Sequence, residues 1–120
     1  MQEELNVPTG QNVIEQDEVG QGFYVLKSGS LEVLKDDVLL SVLMFPGTIF
    51  GEMGDILGKP RTCTVRAKTD AKVIHVPDGD MEALIRESPE IALKIIKTLA
   101  TRLDRTTQKL ASATKEFQLA

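Results

Sequence analysis

Short apolar runs, each cut off by a turn former, restrict the folds open to this chain more than any other feature. Before Pro77 they cover residues 13–14, 23–27, 31–34, 38–45, 63–67 and 71–76. Between them stand Gly10, Gly20, Gly22, Gly29, Asp36-Asp37, Pro46-Gly47, the stretch 58–60 and Thr69-Asp70. Many short strands with regular turn signals specify an antiparallel sandwich, roll or barrel. A parallel sheet would need a helix between successive strands, and the spacers are too short for one. Only Gly51-Glu52-Met53-Gly54-Asp55-Ile56-Leu57-Gly58 breaks the pattern. It lacks strand alternation and predicts a helix of about one and a half turns inside the β framework.

After Pro77 the period becomes helical. Asp78 is placed to cap a helix to about residue 87, with Met81, Leu84 and Ile85 on its buried side. Ser88-Pro89-Glu90 starts a second helix: Ser as N-cap, Pro in the first turn, Glu against the dipole. No Gly or Pro follows, so this helix is expected to run some thirty residues, about 45 Å. Ala92, Ile96, Leu99, Leu103, Thr106, Leu110, Ala113 and Phe117 recur in alternating steps of four and three. That is a heptad seam, and it predicts a coiled-coil homodimer through the last helix. Ile91 and Ile95 lie beside the seam, available to the β domain. The expected organisation is one domain over 1–120: a roll over 1–77, then a helical lid and dimerisation helix over 78–120.

Composition narrows the function. The chain has 120 residues, one Cys, one His and a net charge of −4. A 4% aromatic content makes the core aliphatic, and the acidic balance argues against a surface that grips nucleic acid. A single cysteine allows no intrachain disulfide and fits a reducing cytosol. The opening MQEELNVPTG lacks the apolar stretch of a signal peptide. No run approaches the roughly 20 residues of a membrane span. The expectation is a cytoplasmic protein with no membrane contact.

The chemistry concentrates in residues 50–65, FGEMGDILGKPRTCTV. A short helix leaves backbone N–H groups free at its start, and Gly51 puts no Cβ in a ligand's way. Arg61 follows a turn stiffened by Pro60, and its planar fork matches two phosphate oxygens. Such a pair contributes on the order of 4 kcal/mol before desolvation at an effective dielectric near 20. Thr62 adds a hydroxyl donor. Glu52 discriminates among anions, because a carboxylate beside a phosphate site needs a donor of its own. A ribose hydroxyl supplies one, so phosphate donors plus one acceptor form a recognition set for a ribonucleotide.

Phe50-Gly51-Glu52-Met53 and, nine residues after the Glu, Arg61 within Pro60-Arg61-Thr62-Cys63-Thr64-Val65, resemble the phosphate-binding cassette of cyclic nucleotide-binding domains, of the catabolite-activator and kinase A regulatory type. Residues 22–33, GFYVLKSGSLEV, resemble that family's paired strands and turn glycine. The resemblance covers about residues 10–110 and implies an antiparallel β-roll, a jelly-roll-like double-stranded β-helix, with a cassette helix and a long C-terminal helix. It implies that Glu52 holds the ribose 2′-hydroxyl and Arg61 the cyclic phosphate. Backbone amides of Gly51, Met53, Thr62 and Cys63 complete the grip. Thr106 and Thr107 match the residues that reach the adenine amino group across a dimer. The family's usual pattern differs at Gly54-Asp55 and at Gln16-Asp17-Glu18. It also has helices before the first strand and, in transcription factors, a helix-turn-helix after the long helix, and this sequence carries neither.

The function expected is therefore a non-catalytic sensor of cAMP or cGMP, with cAMP favoured by Thr106 and Thr107 and Thr62 compatible with cGMP. It has no prosthetic group and acts on an effector outside this chain. The alternative is an interaction module of the same fold with a degenerate or differently specific pocket. A cupin-type metal enzyme needs clustered His and carboxylates, and one His cannot provide them. One Cys and one His are also too few for an iron–sulfur cluster. Of the remaining residues, Cys63 reads as a small core residue on the strand after the cassette and His75 as structural. Asp36-Asp37 reads as a hairpin turn, and Met53 as a packing residue with an available amide.

Overall fold

The computed structural model describes residues 3–77 and 81–119. It divides into two compact units, Met1–Met81 and Glu82–Ala120. In the first are β1 (Glu3–Val7), β2 (Asn12–Ile14), β3 (Phe23–Ser28), β4 (Leu31–Lys35), β5 (Val38–Leu43), β6 (Ile49–Phe50), α1 (Glu52–Leu57), β7 (Thr64–Ala67) and β8 (Ala71–Val76). Two helices follow, α2 (Met81–Glu87) and α3 (Pro89–Leu119).

The strands form two four-stranded sheets, ordered β1-β8-β3-β6 and β2-β7-β4-β5. Every pairing is antiparallel. In β3, β4, β7 and β8 alternation sends one side inward, whereas β5 has no buried residue. Leu26, Phe50 and Val73 from the first sheet and Ile14, Leu31 and Val65 from the second meet in one buried cluster. This is the expected antiparallel roll with an aliphatic core. Two strands escape the sequence pattern. β1 carries three polar residues in five, so its apolar signal is Leu5 and Val7 alone, and its place is fixed by pairing with β8. β6 is only two residues long, too short to show a period. β5 ends at Leu43, and Met44 and Phe45, expected in the strand, lie exposed beyond it.

Turns do the steering. Asp36 and Asp37 both adopt positive φ at the β4–β5 hairpin, a conformation that short polar side chains tolerate. The connection between β1 and β2 is tied down by Asp70, whose Oδ1 accepts from the Thr9 amide at 2.9 Å and hydroxyl at 2.8 Å. Those two bonds hold the Asp70 carboxyl below its ordinary 3.8. Gly22, just before β3, has φ +78°, and a Cβ there would collide with the Val76 carbonyl.

In the second unit, α3 has the length expected, and the Ser88 carbonyl accepts from Ile91 and Ala92 at its start. Asp78, the expected cap of α2, lies outside the described residues, as do the side chains of Met81, Leu84 and Phe117. Ile85 was expected on the buried side of α2 and is exposed instead. Along the heptad seam Ile96, Leu103 and Leu110 are 61%, 68% and 66% exposed. Ala92 departs from the seam and is buried, as is Ile95.

Gly22→Ala is expected to cost at least about 2 kcal/mol, because a left-handed non-glycine residue and a backbone collision coincide. Urea denaturation measures it.

Candidate functional site

Arg61 is the centre of the site, and the segment before β3 is built around it. The Arg61 amide donates to the Glu18 carbonyl at 2.9 Å, and the Arg61 carbonyl accepts from the Asp17 amide at 2.8 Å. Asp17 reaches that position with φ +69°, a left-handed value that Asp adopts more readily than most residues. Gln16 extends the seam: its amide donates to the Thr64 hydroxyl at 3.0 Å, and its side chain exchanges two hydrogen bonds with Asp36. The Gln16-Asp17-Glu18 departure from the family pattern thus has a structural role here.

The guanidinium itself is buried, with Arg61 only 5% exposed. Nη1 donates to the Gly51 carbonyl at 2.6 Å and to the Gly22 carbonyl at 3.1 Å, and Nη2 donates to the Gln21 carbonyl at 3.4 Å. Arginine has five N–H donors, and among the described residues those of Nε and one of Nη2 make no hydrogen bond. Gly20 backs onto that edge: a Cβ there would stand 2.8 Å from Nε and 2.9 Å from Nη2. The backbone of Gly20 does not require glycine, since its φ is not positive. The requirement comes from the neighbouring side chain. Tyr24 lies below, its ring centroid 5.9 Å from the Arg61 Cζ, within cation–π range. Burial holds the Tyr24 hydroxyl above its ordinary 10, opposed by the Arg61 charge.

Gly51 joins the guanidinium to the carboxylate. It caps α1 with φ +81° and no side chain, and its carbonyl is the shortest acceptor of Arg61. Glu52, the next residue, is 2% exposed. Its Oε2 is enclosed and accepts no hydrogen bond from the described residues, while the residue has other interactions within the chain. A buried carboxylate is stable only when its surroundings compensate the charge.

Of the residues singled out in the sequence, the structure brings Gly51, Glu52 and Arg61 together. Met53 on α1 is exposed rather than packed, because a six-residue helix buries only one side. Thr62 is half-buried, and its carbonyl accepts from Lys35 Nζ at 3.4 Å. Cys63, expected in the core on β7, is half-buried in the bend before that strand, where alternation has not begun. Thr106 and Thr107 belong to the second unit and stand exposed on α3. Sequence reasoning missed Gly20, Gln21, Gly22 and Tyr24 as neighbours of Arg61. Three contribute backbone or empty space, which leaves no chemical signature beyond the Gly20-Gln21-Gly22 spacing itself.

Residues 4–88 match the cyclic nucleotide-binding domain family. The chain belongs to that family. It is 40% identical over 82 residues to the cAMP-dependent protein kinase regulatory subunit of Aspergillus fumigatus, a match covering 68% of this chain and 20% of that protein. It is 28% identical over 112 residues to the CRP-like cAMP-activated global transcriptional regulator of Mycobacterium tuberculosis, covering 89% of this chain and 50% of the relative. The chain therefore spans between a fifth and a half of these curated relatives. The crystal structure of Thermus thermophilus catabolite activator protein superposes with a TM-score of 0.81 at 26% identity, over 94% of this chain and 55% of that one. Among the described residues no helix is long and apolar enough to cross a membrane.

A methyl at Gly20 would press on Nε, Nη2 and Cζ of a guanidinium that three carbonyls hold in place, so Gly20→Ala is expected to cost about 1 kcal/mol or more in urea unfolding. The Arg61 Nε–H resonance should also move in NMR spectra of the variant. An unmoved resonance would show that Gly20 does not set the guanidinium's position.

Proposed function

We propose that this domain is a non-catalytic cyclic nucleotide sensor, with cAMP favoured over cGMP, working in the cytoplasm on an effector outside this chain. One observation carries the reading: a buried guanidinium with two N–H donors that make no hydrogen bond among the described residues, joined through Gly51 to a buried carboxylate at Glu52. Phosphate recognition needs the first and a ribose hydroxyl the second. Arg61 takes the cyclic phosphate and Glu52 the 2′-hydroxyl. The amides of Gly51, Met53, Thr62 and Cys63 complete the phosphate shell, and Thr106 and Thr107 contact the base. The fungal and mycobacterial relatives carry cAMP in their names, which supports the preference, while the Thr62 hydroxyl suits cGMP.

Gly20 and the carbonyls of Gln21, Gly22 and Gly51 hold the guanidinium in place. A phosphate that takes the Nε–Nη2 edge has to displace Gly20, so binding and movement of the 17–22 segment are linked. The ligand shifts that equilibrium by its differential affinity for the two arrangements. In this reading residues 1–77 form the roll with its cassette, and residues 78–120 form the lid and dimerisation helix of one domain. Ile96, Leu103 and Leu110 are the seam for a second copy, because three large apolar side chains at heptad spacing are exposed on one chain.

Titration calorimetry with cAMP and cGMP is expected to show binding to the parent chain and at least a tenfold loss, about 1.4 kcal/mol, in Arg61→Ala. Absence of binding by a folded parent would leave the interaction-module alternative standing. Sedimentation at tens of micromolar is expected to give a dimer for the parent and a monomer for Leu103→Lys; a monomeric parent removes the coiled coil.

A further inference from the structure

The imidazole of His75 lies in the roll one step behind Arg61. In the sheet order β1-β8-β3-β6, His75 pairs with Glu3 on one side and Tyr24 on the other, and Tyr24 pairs with Phe50. Cross-strand partners share a face, and three of these four residues stack. Phe50 and Tyr24 have ring centroids 5.4 Å apart at 14°, and Tyr24 and His75 are 4.5 Å apart at 18°. Nε2 of His75 is 3.0 Å from the Gln21 carbonyl oxygen. That oxygen also accepts Nη2 of Arg61 at 3.4 Å. One carbonyl therefore serves both side chains, and the two nitrogens are at most 6.4 Å apart.

We propose that His75 is a positioning residue for the anion site, acting on Arg61 through the Gln21 carbonyl, and that its protonation and the binding of a cyclic phosphate favour each other. The proposal rests on the nucleotide-sensor reading of Arg61. A carbonyl can bond Nε2 only while Nε2 carries a proton, so the contact selects the Nε2–H tautomer or the imidazolium. In the imidazolium the bond is charge-assisted and stronger. It then competes with the longer Arg61 bond and loosens Nη2 for the phosphate. Coulomb interaction has the same sign. An imidazolium beside a guanidinium at this range is repelled, and a monoanionic phosphate bound to the guanidinium cancels that repulsion.

Among the described residues, Glu3 stands opposite His75 on β1 and Tyr24 is stacked on it from β3, and the charges of Arg61, Glu18 and Glu3 all act on the Tyr24 hydroxyl. Imidazoles as a class titrate between about pH 5 and 8. Arg61 remains the partner whose charge a ligand neutralises. By linkage, affinity rises as pH falls through that range, and the bound ligand promotes proton uptake.

The chain supplies its own probe, since Tyr24 is its single tyrosine and it has no tryptophan. Tyrosine emission of the unliganded chain should show a transition between about pH 5 and 8 that His75→Gln lacks. Arg61→Ala, which removes the neighbouring positive charge, should move that transition to higher pH, and so should saturating cAMP. In calorimetry, cAMP should bind the parent at least about fivefold more tightly at pH 5.5 than at pH 7.5. His75→Gln keeps an N–H donor for the Gln21 carbonyl, so it should retain the affinity measured at pH 7.5 and lose the pH dependence. His75→Phe keeps the stack without the donor and should lose affinity at both pH values. An unchanged transition in folded Arg61→Ala, or the same pH dependence in His75→Gln as in the parent, overturns the proposal. If Arg61→Ala does not fold, the His75→Gln comparison decides. A parent that binds no cyclic nucleotide removes the sensor reading instead, and the Arg61→Ala transition still tests the coupling of the two side chains.

Discussion

A guanidinium held by backbone carbonyls organises this domain. Arg61 draws the carbonyls of Gln21, Gly22 and Gly51 to one point, so the segment before β3 and the cap of α1 share a single side chain. Its own backbone closes a reciprocal pair with Asp17 and Glu18. A buried cation is tolerated because its donors are largely answered and its neighbours are oriented dipoles rather than hydrocarbon. Among the described residues, Nε–H and one N–H of Nη2 make no hydrogen bond. The same residue that ties these loops together is the one proposed to take a phosphate, and that proposal links recognition to conformation.

The roll makes that arrangement precise. Two antiparallel sheets close on an aliphatic core, and their inward positions are filled by medium-sized side chains such as Leu26, Leu31 and Val73. With few aromatics available, the chain uses several on one face: Phe50, Tyr24 and His75 form a stack, and Arg61 lies over its middle ring. The stack is a stiff floor under the guanidinium, and it crosses three adjacent strands. Glycines finish the fit, Gly22 through its backbone conformation and Gly20 through empty space beside Arg61.

Much of the fold was legible in the sequence because its signals are local. Turn formers between short apolar runs predicted the antiparallel roll, and Ser88-Pro89 predicted the start of α3. β1 and β6 were not legible, since a polar edge strand and a two-residue strand acquire their identity only from partners distant in the chain. The chemistry divided in the same way. Glu52 stood out as an ionisable group in a glycine-bounded segment, and Arg61 as the guanidinium that follows the Pro60 turn. Gln21 acts through a carbonyl that every residue possesses, so no residue type announces it. His75 read as an ordinary strand residue until its ring was seen against Tyr24 and its Nε2 against that carbonyl.

By itself the sequence determined the strand-rich class, the long heptad helix and the two charged residues of the cassette. These follow from periodicity, from turn propensity and from side chains whose chemistry is intrinsic. Tertiary structure alone decided that both charges are buried, that three carbonyls from two separate segments converge on Arg61, and that one of them is shared with His75. Burial and convergence are properties of pairs of residues brought together from different strands, and linear order holds no record of which pairs will meet.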